Sequence, residues 1–283
     1  MYRLDNLTYE YRRGIKAVDA ANAEIGPGLH LLIGENGAGK TTLLHLMSSL
    51  LFPTAGTCTF DGMDVSRRSV ESLRDIFFLP DNFECAFSTI GQMARCHGAF
   101  YPNFSYELLY ANLADFDLTG REKLRNLSLG MRRKAFMAYA LALRTGALLF
   151  DEPTNGMDIN AKKIVRQMLT RSVTDDTTVI VSTHNVHDLD SLFESVMIMH
   201  RGRLRLSMPV WRILERVAFV TSASPVDGAI YQEPDRGRFR AIIPNVDGID
   251  TDIDYQLLYS AAMAPVGDMF MDFLTTPKMP SND

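Results

Sequence analysis

Leu29-His-Leu-Leu-Ile-Gly34-Glu35-Asn36-Gly37-Ala38-Gly39-Lys40-Thr41-Thr42 is the stretch from which the rest of the chain can be read. Residues 29–33 are a short apolar run, and residues 40–51 (KTTLLHLMSSLL) have the composition of a buried or amphipathic helix. Between them lies a Gly-rich loop ending in Gly-Lys-Thr, which is the P-loop pattern in its required strand–loop–helix setting. Glycines there let successive N–H groups face phosphate oxygens, and the helix N-terminus adds its positive dipole end. Gly34, Asn36, Gly37, Ala38, Gly39, Lys40, Thr41 and Thr42 are therefore the expected nucleotide contacts. Lys40 should reach the terminal phosphates and Thr41 should ligate Mg²⁺. GTPases, kinases and transport ATPases share this loop, so it does not by itself specify the work done.

Outward from the loop, strand-like runs recur at residues 76–79, 147–150, 178–182 and 196–200, interleaved with helical segments such as residues 160–171. That alternation predicts an α/β fold with a mostly parallel sheet. Residues 81–143 read as a helical insert, with Thr119 and Glu122 spaced as a capping box at a helix start. After Gly202 the alternation stops. Residues 206–283, with Pro and Asp-Gly turns, read as a small C-terminal accessory domain, and residues 1–205 as the main domain.

Composition narrows the class. In 283 residues, 46% are hydrophobic and 22% charged, enough apolar material for a large core. The net charge of −5 gives no general attraction for nucleic acid. Three cysteines at irregular spacing, Cys58, Cys85 and Cys96, make neither a disulfide framework nor a zinc site, and fit a reducing compartment. The first residues lack the apolar run of a signal peptide. The longest apolar stretch, residues 135–150, is shorter than a bilayer crossing and carries Arg144, so any membrane role is expected to be peripheral.

A second chemical element is Ala147-Leu-Leu-Phe-Asp151-Glu152, a buried-strand pattern ending in two carboxylates. Asp151 is placed to bind Mg²⁺, and Glu152 to polarise a water for in-line attack, which separates a hydrolase from a binder.

Leu127-Ser128-Leu129-Gly130-Met131, followed by Asp151-Glu152-Pro153-Thr154-Asn155-Gly156-Met157-Asp158, resembles the ABC ATPase family, whose signature motif precedes its Walker B motif and D-loop in this order. The resemblance spans residues 1 to about 205. It implies a P-loop NTPase core with a mostly parallel sheet, a β-rich N-terminal edge and a helical insert. It also implies that Ser128 and Gly130 serve the ATP of an opposing subunit, that Asp158 lies at the dimer interface, that His184 senses the γ-phosphate, and that Tyr11 stacks on adenine. Read singly, Ser128 is a helix N-cap, His184 a packing or loop residue and Tyr11 a surface tyrosine. The other histidines, His30, His45, His97, His187 and His200, match no motif position. Leu129 and Met131 depart from the commonest signature.

Asp81 stands where the family carries a Gln that contacts metal and water. A carboxylate there could enter the Mg²⁺ shell, or face solvent or a membrane partner. The function implied is an ATP-binding and ATP-hydrolysing subunit that dimerises, with itself or another ABC subunit, around two ATP molecules. It would drive a separately encoded membrane permease from the inner face of the cell membrane. The alternative is a cytosolic ABC-type ATPase that drives assembly of a complex. An ABC-type translation factor would carry two ATPase domains or a long coiled coil, and neither is in this sequence.

Overall fold

The computed structural model describes residues 1–12, 14–82, 85–184 and 192–276. β1 (Tyr2–Arg12) and β2 (Ile15–Ile25) pair as an antiparallel hairpin. β3 (Gly28–Ile33) follows in a different sheet, while β4 (Ala55–Phe60) and β5 (Met63–Asp64) return to the first and complete the order β2-β1-β4-β5. This is the β-rich N-terminal edge. At the start of β1, Tyr2 and Leu4 are buried while Arg3 and Asp5 are exposed, the alternation of a sheet with one face on the core.

The main sheet gathers β3 with β6 (Ile76–Leu79), β7 (Ala147–Asp151), β8 (Thr178–Thr183), β9 (Ser195–His200) and β10 (Arg203–Pro209), in the order β10-β9-β3-β8-β7-β6. All its pairings are parallel except the β9–β10 hairpin. Every residue of β3, β7 and β8 is buried because layers cover both faces, and the strands are accordingly rich in apolar residues. On one side α1 (Lys40–Met47) packs Leu43, Leu44 and Leu46 against Tyr2, Leu4 and Phe60 of the N-terminal sheet. α2 (Val70–Asp75) leads into β6. On the other side lie α3 (Ile90–Cys96), α4 (Tyr106–Ala114), α5 (Leu129–Ala142) and α6 (Ile159–Ser172). Ser69, Thr89, Ser105, Ser128 and Asp158 cap helices α2 to α6 with side-chain oxygens, each taking a first-turn N–H that would otherwise lack a partner.

Of the capping-box contacts expected at Thr119, the Thr119 N–H donates to Glu122 Oε1 at 2.9 Å, but the Thr119 hydroxyl accepts the Arg121 N–H at 3.3 Å and no helix starts there. Gly120 turns the chain at φ 77°, outside the helical region, so the box closes a turn instead.

The C-terminal part comprises α7 (Val210–Leu214), an antiparallel sheet of β11 (Val217–Ser222), β12 (Tyr231–Asp235) and β13 (Arg238–Pro244) in the order β11-β13-β12, then α8 (Tyr255–Met263) and α9 (Gly267–Thr275). The division expected at residues 205/206 falls inside β10, which the main sheet retains through Pro209. Val217, Ile242, Leu258 and Phe270 join the same buried cluster as Leu29, Val196 and Leu206, so the C-terminal strands and helices share a core with the main sheet.

Candidate nucleotide site

Because β8 pairs with both β3 and β7, Ile33 lies opposite Thr183 and Asp151 opposite Ser182, and three strand ends come side by side. The crevice beyond the carboxyl ends of parallel strands is where α/β sheets bind ligands. The P-loop leaves β3 into that crevice. Gly39 has φ 105°, and a Cβ on it would collide with the Ala17 carbonyl, so only glycine can make this entry into α1. The Ala38 N–H closes the loop onto the Glu35 carbonyl at 3.1 Å, while Asn36 and Gly37 lie exposed at its tip.

Lys40 folds back over the loop, donating from Nζ to the Gly34 carbonyl at 2.7 Å and the Glu35 carbonyl at 3.2 Å. Nζ stands 3.7 Å from Glu152 Oε1. Burial pushes the ammonium pKa below its ordinary value, while Glu152 and Asp151 oppose that shift. Thr41 Oγ1 donates to Asp151 Oδ2 at 2.7 Å, and Ser182 Oγ to Asp151 Oδ1 at 2.5 Å. Glu152 takes the left-handed conformation, φ 49°, with its N–H directed at the backbone oxygen and Oγ of Ser182. That turn aims its carboxylate at His184, whose Nδ1 is 2.9 Å from Glu152 Oε1. Lys40, Thr41, Asp151, Glu152 and His184 thus converge at one crevice.

Tyr11 reaches the same helix start, its hydroxyl 3.1 Å from Thr42 Oγ1, with its ring set edge-on to Tyr9 and 57% of the residue exposed. Ser128 and Gly130 begin α5 at the surface. Ser128 Oγ accepts the Met131 N–H at 3.2 Å, and Gly130 packs by the Gly156 carbonyl. Lys134 of α5 donates to Asp158 Oδ2 at 3.2 Å, and Asp158 Oδ1 accepts the Ala161 N–H at 2.8 Å. These contacts hold the Asp158 carboxyl below the usual carboxylate range, with the Ala161 bond contributing most. Leu129, Met131 and Ile159 beside them are exposed, Ile159 by 86%.

Asp81 is held by Arg133 and Asn82. Its Oδ1 accepts from Arg133 Nη2 at 2.5 Å and its Oδ2 from Asn82 at 2.8 Å. Among the described residues, no three His, Cys, Asp or Glu side chains gather as a metal group. His30 pairs with Ser195 and the Gly26 carbonyl, His97 with Tyr139, and His45 sets its ring edge-on to Phe78. His187 lies outside the described residues.

Three residues at or near the site carry no sequence motif: Ser182, Arg133 and Tyr259, whose hydroxyl meets the Glu35 amide. Only Ser182 left a trace, as a polar residue at the end of an apolar run two positions before His184.

The ABC transporter family model matches residues 19–155. The ABC transporter ATP-binding protein NatA of Bacillus subtilis is 30% identical over 203 residues, covering 68% of this chain and 82% of NatA. Daunorubicin resistance ATP-binding protein DrrA3 of Streptomyces coeruleorubidus is 30% identical over 263 residues, 89% of this chain and 79% of that protein. The fold also matches the dimeric structure of the ATP-binding cassette MJ0796 bound to ADP and Pi, with a TM-score of 0.64 and 23% identity over 74% of this chain and 99% of that one. Among the described residues no helix is long and apolar enough to cross a membrane. With strand ends, P-loop and paired carboxylates arranged as that family requires, the chain belongs to the ABC transporter ATP-binding proteins and is an ATP-hydrolysing subunit.

Proposed function

We propose that Gly34–Thr42 hold the ATP phosphates, that Tyr11 stacks on the base, and that Glu152 and His184 serve hydrolysis. The observation that carries this reading is the 2.9 Å approach of His184 Nδ1 to Glu152 Oε1, within 3.7 Å of the buried Lys40 ammonium. A carboxylate so held can accept a proton from an attacking water, and the histidine orients it. Lys40 exchanges its loop carbonyls for phosphate oxygens, a charge-assisted bond that offsets its desolvation.

The donor set suits Mg²⁺, because Thr41 Oγ1 and an Asp151 oxygen are hard ligands 2.7 Å apart, and an ion shared with phosphates needs few protein oxygens. Such an ion would neutralise charge on the phosphates. Ser182 keeps Asp151 oriented.

Ser128 and Gly130 at the exposed start of α5, with Asp158 of the adjoining loop, form the surface offered to the ATP of a second subunit, identical or different. The exposed Leu129, Met131 and Ile159 supply apolar area for that contact. The dimer drives a separate membrane permease while bound at the inner face of the cell membrane. Glu152→Gln tests the scheme: it should bind ATP, hydrolyse it very slowly and accumulate as a dimer, read by light scattering. A variant that stays monomeric with ATP bound overturns the composite site.

A further inference from the structure

Arg133 lies on α5, five residues beyond Ser128, and its side chain is only 10% exposed. Nη2 donates to both the carbonyl and the Oδ1 of Asp81, while Nη1 donates to the carbonyl of Asn155. One guanidinium therefore joins three segments: the loop after β6, the helix that Ser128 caps, and the loop between Glu152 and Asp158. Its Nε is buried without a hydrogen-bond partner, so these contacts are what offsets the burial of the charge.

We infer that Asp81 and Arg133 are positioning residues which lock the Ser128 helix end and the Asp158 loop into one rigid surface for the second subunit, and that Asp81 is not a metal ligand. The inference rests on the composite-site reading above. Arg suits the task because its rigid planar fork offers donors on separate nitrogens, whereas a lysine ammonium has only one. Lys134 to Asp158 fastens the same two segments further out, so the guanidinium acts on an arrangement already in contact. The two partners are unequal. Asp81 is 27% exposed and water can serve it alone, whereas Arg133 without the Asp81 carboxylate is a buried charge left with two neutral carbonyl partners.

The test uses the Glu152→Gln chain, whose ATP-dependent dimer is measured first; if that dimer does not form, the composite site fails and not the clamp. Adding Asp81→Asn should raise the ATP concentration needed for half-maximal dimer by about tenfold. ATP affinity of the monomer and the Mg²⁺ midpoint of that binding should stay unchanged. Adding Arg133→Gln as well should cost little more, because the same clamp is being removed twice. If Asp81→Asn does not fold, Arg133→Lys replaces it, with the same expected loss of dimer. A raised Mg²⁺ midpoint in Asp81→Asn, or a triple variant in which the two losses simply add, overturns the inference.

Discussion

The hydroxyl of Tyr259 on α8 accepts the backbone N–H of Glu35 in the P-loop at 3.2 Å, across 224 positions of sequence. The C-terminal helices thus touch the loop that should hold phosphate. Tyr259→Phe keeps the ring and removes the acceptor, and water can reach the exposed Glu35. The expected result is a modest rise in the ATP dissociation constant, about twofold to fivefold, from one neutral hydrogen bond. Titration with a fluorescent ATP analogue would read it. An unchanged constant would mean that α8 merely abuts the loop.

Lys40→Ala should weaken ATP binding on the order of a hundredfold, since a charge-assisted contact to the terminal phosphates is lost. Without nucleotide its melting temperature should not fall, because the ammonium is buried against its own preference. Retained affinity in calorimetry would remove Lys40 from the site.

Ser128→Arg should abolish most hydrolysis while leaving ATP binding by the isolated subunit intact. Mixed with Lys40→Ala, it should regain activity, because one site of the mixed dimer collects both lesions and the other collects none. Two inactive variants that stay inactive on mixing, despite forming mixed dimers, would argue for sites built within one chain.

His30 gives a pH dependence. Burial lowers its pKa below the ordinary 6.5, so below that pH the unfolded chain binds a proton the folded chain resists. Stability should therefore be full above about pH 7 and decline as pH falls through 6.5 toward the lower folded value. Nε2–H to the Gly26 carbonyl and Nδ1 accepting from Ser195 satisfy both partners in the neutral ring. Urea midpoints at pH 7.5 and 5.5 should draw closer in His30→Gln. An undiminished gap would assign the acid sensitivity to other groups, among which burial lowers His45 and His97 in the same direction.

What could be read beforehand was local. Gly39, Lys40 and Thr41 sit within one loop, and Asp151 with Glu152 within one strand end, so their chemistry is carried by neighbours in sequence. Strand identity followed for the same reason, since buried parallel strands announce themselves as apolar runs. The partner of Asp81 was not legible. A motif places it near metal, but Arg133, 52 positions away, looks in sequence like one more cation on a helix face. Tyr259 gave no sign either, because nothing in residues 206–283 marks which side chain will meet the P-loop. The boundary expected at residue 205 falls within the last strand of the main sheet, as an alternation that has stopped cannot reveal a final antiparallel strand.

The guanidinium shared by Asp81 and Asn155 also limits how this sequence can change over time. Restoring the family's Gln at position 81 alone would strand Arg133, and replacing Arg133 alone would detach two loops at once. Each single step passes through a poorer protein, and once one partner is gone the other can change at little further loss. Positions 81 and 133 should therefore drift as a linked couple, and among natural variants of this chain an uncharged residue at 81 should travel with an uncharged residue at 133.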